Sequence, residues 1–248
     1  MTERQLLPEM EEIWLNTLGW QPDREQKPKF QRLYEEILAA NRSINLTRIT
    51  QPIEFWEKHL WDSLAGMVGL GISTQLEKKE SLKAIDIGTG AGFPGIPVAI
   101  VFPFWTVTLL DATRKKTNFL ETLVDRLDLN NIKILTGRAE EIGRDRYHRE
   151  AYDLALIRAV SQPSVCAEYA LPLLKIGALA ILYRGAWSDD ETIALQGAVK
   201  KLGGKIEKIE ALSTPVSNSA RHCLYLRKIA PTHPEFPRLT GIPAQKPL

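Results

Sequence analysis

The residues best suited to do chemistry gather first at 84–100, AIDIGTGAGFPGIPVAI, where an apolar strand runs into a glycine-rich turn and then into a proline-started helix. Gly88, Gly90 and Gly92 permit positive φ and a close backbone approach to a ligand, and a helix beginning near Pro94 leaves N–H groups free at its end. That combination predicts a nucleoside site. Gly90, Gly92 and Gly95 also satisfy G-x-G-x-x-G, the dinucleotide fingerprint, a weak signal alone. The distinction lies upstream, where Asp86 ends the strand and Ile87-Gly88-Thr89-Gly90 come before the match. A carboxylate there attracts a ligand carrying a sulfonium and an ammonium, directly or through water, and repels a pyrophosphate. S-adenosylmethionine fits those residues better than a dinucleotide.

Further candidates follow at other strand ends. Asp111 follows the turn by about the 20 residues expected of an acid that accepts from ribose hydroxyls. Glu140, or the N–H of Ala139, stands where an adenine edge would lie, although an acid at a helix N-terminus is explained equally by the helix dipole. Arg158 ends an apolar strand and suits a methionine carboxylate or an incoming phosphate, with a salt bridge to Asp86 or Asp111 as the plainer alternative. His59, Asp62 and Ser63 share one helix face at i, i+3 and i+4. Without a G-x-S-x-G elbow they are no hydrolase triad, and read as a hydrogen-bonded brace or a pocket wall. Cys166 and Cys223 lack C-x-x-C spacing and read as buried thiols, so neither a disulfide nor a metal site is expected.

The elements that must position these residues are legible from periodicity. Helices are predicted over 3–18, 27–42 and 52–69, forming an N-terminal helical cap. Strand and helix then alternate: strand 105–111, helix 113–127, strand 132–136, a short helix from Ala139, strand 152–157, helix 163–174, strand 178–183 and helix 188–202. The apolar stretches 205–212 and 222–228 close the pattern as an antiparallel edge. This is an α/β, doubly wound, mostly parallel, Rossmann-like sheet, which binds ligands at the carboxyl ends of its strands. The expected divisions are a cap at 1–80, a cofactor-binding domain at 81–230 and a Pro-rich, extended arm at 231–248.

Composition bounds the partners. The 248 residues are 44% hydrophobic and 25% charged, with a net charge of +2, which is no global field for nucleic acid. Two local clusters, Arg114-Lys115-Lys116 and the stretch holding Arg144, Arg146, His148 and Arg149, are either solvated surface or phosphate contacts. No apolar run approaches the roughly 20 residues that span a bilayer, and the charged opening MTERQ has no signal-like segment, so a cytoplasmic protein is expected.

Several segments together resemble the RsmG (GidB) family of 16S ribosomal RNA guanine-N7 methyltransferases: NLTRI at 45–49, KHLWDS at 58–63, DIGTGAGFPGIP at 86–97, LLDATRKKTNFL at 109–120, GRAEE at 137–141, YDLALIRAV at 152–160 and the closing RLTGIPAQKPL. The resemblance spans nearly the whole chain and implies a class I S-adenosylmethionine-dependent methyltransferase. By that resemblance Gly88, Phe93, Asp111, Ala112, Thr113, Ala139, Glu140 and Arg158 contact the cofactor. Small-subunit ribosomal RNA or the 30S subunit is the implied partner, and a monomer the expected state. Some relatives have Pro then Leu in the glycine turn where this chain has Ala91 and Phe93, which keeps the turn but alters the pocket wall.

The chemistry agrees. Guanine N7 holds an in-plane lone pair and needs no general base, so alignment and exclusion of water suffice. An exocyclic-amine methyltransferase would place Asn or Asp and Pro-Pro after the fourth strand, where this chain has Arg158-Ala159-Val160-Ser161. Pyrimidine C5 chemistry needs a thiolate on a loop, whereas Cys166 falls in a predicted helix. Methyl transfer to another acceptor, a non-catalytic ribosome-assembly RNA-binding protein and a dehydrogenase are the alternatives the sequence leaves open.

Overall fold

A computed structural model describes residues 5–68, 70 and 81–248. Positions 3, 4 and 69 of the expected helices and the division at residue 80 lie outside the described residues.

Seven strands form one sheet in the order β3-β2-β1-β4-β5-β7-β6. They are β1 Lys83–Ile87, β2 Thr106–Asp111, β3 Ile132–Thr136, β4 Tyr152–Arg158, β5 Leu174–Arg184, β6 Gly204–Ser213 and β7 Ala220–Lys228. The first five are parallel, and β7 runs antiparallel to both β5 and β6. The inner strands are almost uninterruptedly apolar because helices cover both faces, so each side chain is buried whichever way it points.

On one face lie α1 Glu11–Leu18, α2 Gln26–Ile44, α3 Pro52–Phe55, α4 Asp62–Val68, α5 Gly95–Val101 and α6 Arg114–Arg126. Trp14, Tyr34, Trp61, Ile96 and Leu120 pack there with Val107, Leu156 and Ile181, so the N-terminal helices share one core with the sheet. On the other face α7 Ala139–Ile142, α8 Pro163–Ala170 and α9 Asp189–Lys201 bury Ala139, Val165 and Leu195 against Ile85, Ile157 and Ala180. Gly66 lets α4 approach β5, because a Cβ there would lie 2.5 Å from Oη of Tyr183, whose hydroxyl donates to the Ser63 carbonyl at 2.9 Å. Both cysteines are buried, and burial pushes the Cys166 thiol up to about 11, which makes it inert.

Four expectations are corrected. The first helix starts at Glu11, because Pro8 lacks an N–H and draws Leu7 out of the helical region; the Leu7 N–H goes to Oε1 of Gln31 instead. The stretch expected as one helix over 52–69 contains a π-helical turn, Trp56–Trp61, between α3 and α4. The helix expected over 163–174 stops at Ala170, where Pro172 turns the chain through Leu171–Leu173 into a longer β5. The C-terminal arm is irregular but ends in a helical turn, α10 Ile242–Gln245.

Candidate active site

The turn after β1 is built on strained backbone that glycine relieves. Gly88, Gly90 and Gly92 have φ of 70°, 61° and 98°, and a Cβ on Gly88 would sit 2.6 Å from Cγ2 of Val160. Asp86 lies beneath this turn rather than in the crevice, which corrects the picture of a carboxylate facing a cationic ligand. It is fully buried, and its Oδ2 accepts from the Thr89 hydroxyl at 2.6 Å and the Gly95 N–H at 2.8 Å. Its Oδ1 is buried with no partner among the described residues, and burial pushes the carboxyl up to about 6 despite those two donors. The first N–H of α5 is thus satisfied internally, so the expected free donors at that helix start are not all presented to a ligand.

Asp111, at the end of β2, faces the turn. Its Oδ2 accepts from the Gly90 N–H at 3.0 Å and lies 3.7 Å from Nζ of Lys116, while its Oδ1 accepts from the Thr113 N–H at 2.8 Å. Gly90 and Thr113 therefore act here by orienting Asp111. Gly88, Asp111, Ala112, Ala139, Glu140 and Val160 line one cavity of about 250 Å³. Glu140 is buried, and its Oε1 accepts from the Tyr169 hydroxyl at 3.2 Å.

A second cavity, about 410 Å³, opens on the other side of the β4 end and is lined by Lys58, His59, Asp62, Arg158, Arg184, Arg221 and His222. Arg158 and Ala159 line this one, whereas Val160 and Ser161 line the first, so four consecutive residues form the partition. Ala159 makes that possible with a left-handed φ of 55°. Arg158 donates from Nη1 to Oδ2 of Asp62 at 2.9 Å and to the Lys58 carbonyl at 2.8 Å, not to Asp86 or Asp111. The π-helical turn explains the second bond. There the Asp62 N–H reaches back to the Glu57 carbonyl, so the Lys58 carbonyl loses its α-helical donor and accepts Arg158. Oδ1 of Asp62 takes Nε of Arg221 at 3.0 Å.

Phe93 is buried and stacks on His59, with ring centroids 4.4 Å apart and planes 7° from parallel, and the Arg158 guanidinium lies 5.6 Å from its ring centre. Burial first, then the charge of Arg158, pushes His59 down to about 3, so it is neutral at physiological pH. Its Nε2 lies 2.9 Å from the Thr47 hydroxyl, and its Nδ1 faces Nη2 of Arg158 at 3.4 Å. The helical face of His59 and Asp62 is thus a brace and a pocket wall. Ser63 is apart from it, its hydroxyl bonded to the His59 carbonyl.

The family model of GidB, rRNA small subunit methyltransferase G, matches residues 26–223. The chain belongs to this family. A ribosomal RNA small subunit methyltransferase G of Nostoc punctiforme is 62% identical over 243 residues, covering 98% of this chain and 99% of that one. Its counterpart in Trichodesmium erythraeum is 56% identical over 244 residues, covering 98% and 95%. The solved structure of NSun6 from Pyrococcus horikoshii with SFG matches with a TM-score of 0.52 at 16% identity, over 66% of this chain and 52% of that one, a likeness of fold alone.

In this RsmG family member the remaining basic residues divide by role. Lys115 donates to the Ser43 carbonyl at the end of α2, at 3.0 Å, and Lys116 faces Asp111, while Arg114 is exposed at the start of α6. Arg144 and Arg149 of the second cluster grip the C-terminal arm: Nε of Arg144 donates to the Pro237 carbonyl at 2.7 Å, and Arg149 donates to the Phe236 and Thr232 carbonyls, each at 2.7 Å. Arg184, Arg221 and His222 went unnoticed as a group in the sequence, since antiparallel β7 brings the last two beside β5 with no local spacing signal. Among the described residues no group of three or more His, Cys, Asp or Glu is arranged to hold a metal, and no helix is long and apolar enough to cross a membrane.

Proposed function

We propose that this chain transfers a methyl group from S-adenosyl-L-methionine to N7 of a guanine in 16S ribosomal RNA, without a covalent enzyme intermediate. The observation that carries the reading is the pair of cavities divided by residues 158–161, one edged by the glycine turn and two carboxylates, the other by cations. The smaller suits a nucleoside: Gly88 brings bare backbone to its edge, Asp111 offers carboxylate oxygens to ribose hydroxyls, and Ala139 and Glu140 bound a space also lined by Ile87, Leu110 and Val160. Asp86 supports the same choice over a pyrophosphate ligand, since its carboxylate lies at the start of α5 where a phosphate would need to bind.

When bound, S-adenosylmethionine supplies an electrophilic methyl group. The chain's own task is orientation, which can lower a barrier by roughly 7–11 kcal/mol. His59, backed by the buried Phe93 ring stacked on it, gives the larger cavity an uncharged wall, and Arg158, fixed by Asp62 and the Lys58 carbonyl, holds the partition rigid. No proton must leave N7, and the imidazole of that wall is held neutral as an acceptor toward Arg158. Arg184, Arg221 and His222 are the cavity's candidates for phosphates flanking the guanine, with Arg114, Lys115 and Lys116 beyond it. The guanine must leave its stack or lie in a loop to enter.

The test is transfer of labelled methyl from S-adenosylmethionine to small ribosomal subunits lacking their own modification, followed by nucleoside analysis. Wild type is expected to yield 7-methylguanosine and Gly88→Asp none. Label in any other nucleoside, or none in RNA despite cofactor binding, would overturn the assignment.

A further inference from the structure

The C-terminal arm is held with unusual thoroughness. Lys228, fully buried, donates to the Leu171 carbonyl at 2.8 Å and to the Thr232 hydroxyl. Arg149 and Arg144 take the carbonyls of Thr232, Glu235, Phe236 and Pro237. Glu168, with no exposed surface, accepts the backbone N–H of Arg238 at 2.8 Å and its guanidinium through both oxygens, at 2.6 Å for the Nη2–Oε2 pair. Packing an apolar strap on a surface needs none of these buried charges, each of which costs desolvation unless paired. They fix where the next few residues lie.

Those residues lie on the smaller cavity. Gly241 donates its N–H to Oε1 of Glu140 at 2.9 Å, and Ala244, in α10, lines the same cavity as Gly88 and Glu140. Oε1 of Glu140 is held by Gly241 and Tyr169, while its Oε2 accepts no hydrogen bond among the described residues, and the carboxylate shares the cavity lining with Ala112, Ala139, Val160 and Ala244. An acceptor next to a small apolar side chain suits the edge and face of a ring bearing an exocyclic amine.

We infer that the arm completes the cofactor pocket: Ala244 is a wall of the adenine subsite, and the Gly241 N–H positions Glu140 to accept from the adenine amine. This rests on the smaller cavity being the cofactor site. Gly241 takes a φ of 84° immediately before α10, a conformation that glycine adopts without a Cβ penalty.

The experiment is isothermal titration with S-adenosylhomocysteine on the full chain and three variants, each checked by thermal denaturation. Ala244→Trp fills the cavity from the arm side. Ala112→Trp fills it from the β2 side and reports on the underlying assignment. Truncation after Arg238 removes Gly241 and Ala244 but keeps the Glu168 clamp. The expected result is a Kd raised tenfold or more in all three. If Ala112→Trp weakens binding while Ala244→Trp and the truncated chain stay within twofold of wild type, the arm is packing only and the inference fails. If Ala112→Trp also leaves Kd unchanged, the cavity is not the cofactor site and both readings fall. Should truncation unfold the chain, Ala244→Trp alone decides, because Ala244 is exposed at the cavity mouth and a larger side chain there disturbs no core.

Discussion

Arg238→Ala tests the claim that buried charge, not apolar contact, fixes the arm. Glu168 has no exposed surface, and three donors meet its carboxylate: the Arg238 N–H, Nε at 3.0 Å and Nη2 at 2.6 Å. The substitution removes two of them and leaves a buried anion on one backbone N–H. Breaking a buried pair from one side costs about 3–5 kcal/mol. The surviving charge-assisted bond, itself about 1.5–3 kcal/mol, places the loss near the lower end, about 3 kcal/mol. For a protein of this size that is a fall in Tm of about 6–12 °C. Urea denaturation followed by far-ultraviolet circular dichroism should show it as a lower midpoint with an unchanged slope. The double variant Glu168→Leu with Arg238→Met, which removes both charges and keeps the volume, should regain most of the loss. If Arg238→Ala stays within about 0.5 kcal/mol of wild type, the range of an ordinary surface change, or if the double variant is no better than the single one, the pair does not anchor the arm.

Three further outcomes follow from the site. Gly88→Ala should lose about 1–2 kcal/mol to the left-handed backbone and about 0.5–1.5 more by driving Val160 off its rotamer; adding Val160→Ala should restore only the second part, and a thermal melt showing no recovery would refute the steric account. His59, held down to about 3, stays neutral in the fold while the unfolded chain protonates below its ordinary 6.5, so its contribution is whole above pH 6.5 and falls as pH drops toward 3, by up to about 1.4 kcal/mol per pH unit. Asp86 works oppositely, its carboxyl raised from 3.8 to about 6, so its contribution is present below 3.8 and lost as pH rises through 6. Melting His59→Gln between pH 7 and 4 should therefore show a flatter acid limb than wild type, and an identical limb would sink the assignment. Replacing Arg114, Lys115 and Lys116 together with alanine should make the plot of log affinity for small subunits against log salt shallower by about 2, from roughly 0.7 per phosphate contact; an unchanged slope would mean the three are ordinary surface.

The parallel strands and the glycine turn could be read from the chain because their signals are local: near-continuous apolar runs, and glycines that only positive φ explains. The carboxylate at the end of β2 was legible for the same reason, since a fixed interval separates it from the turn. What escaped reading depends on contacts between distant segments. The pairing of Asp62 with both Arg158 and Arg221 joins a helix, a parallel strand and an antiparallel strand, and no spacing links them. The helix over 52–69 had the right apolar stripe, but periodicity does not reveal a π-helical turn, which is stabilised here by what its freed carbonyl can bind. Arg144 and Arg149 stayed open between solvated surface and phosphate contacts because composition records charge and not whether backbone carbonyls have already taken it.

Asp86 shows most clearly how a correct conclusion came from a mistaken contact. Its type and place suggested an acid facing a cationic ligand, yet its charge is turned inward on Thr89 and the first N–H of α5. The effect on ligand choice is the same through a different route. A helix start after a glycine turn attracts phosphate through unsatisfied N–H groups and the helix dipole. By placing its own carboxylate there, the chain fills that anion site and leaves the turn's bare backbone beside Asp111, the acid proposed to accept from ribose hydroxyls. On that proposal the turn favours a nucleoside without phosphates. Asp86→Asn keeps the shape but removes the charge, and weaker discrimination against adenosine diphosphate relative to S-adenosylhomocysteine, measured by titration, is the expected consequence. Unaltered discrimination would mean that shape alone selects the ligand.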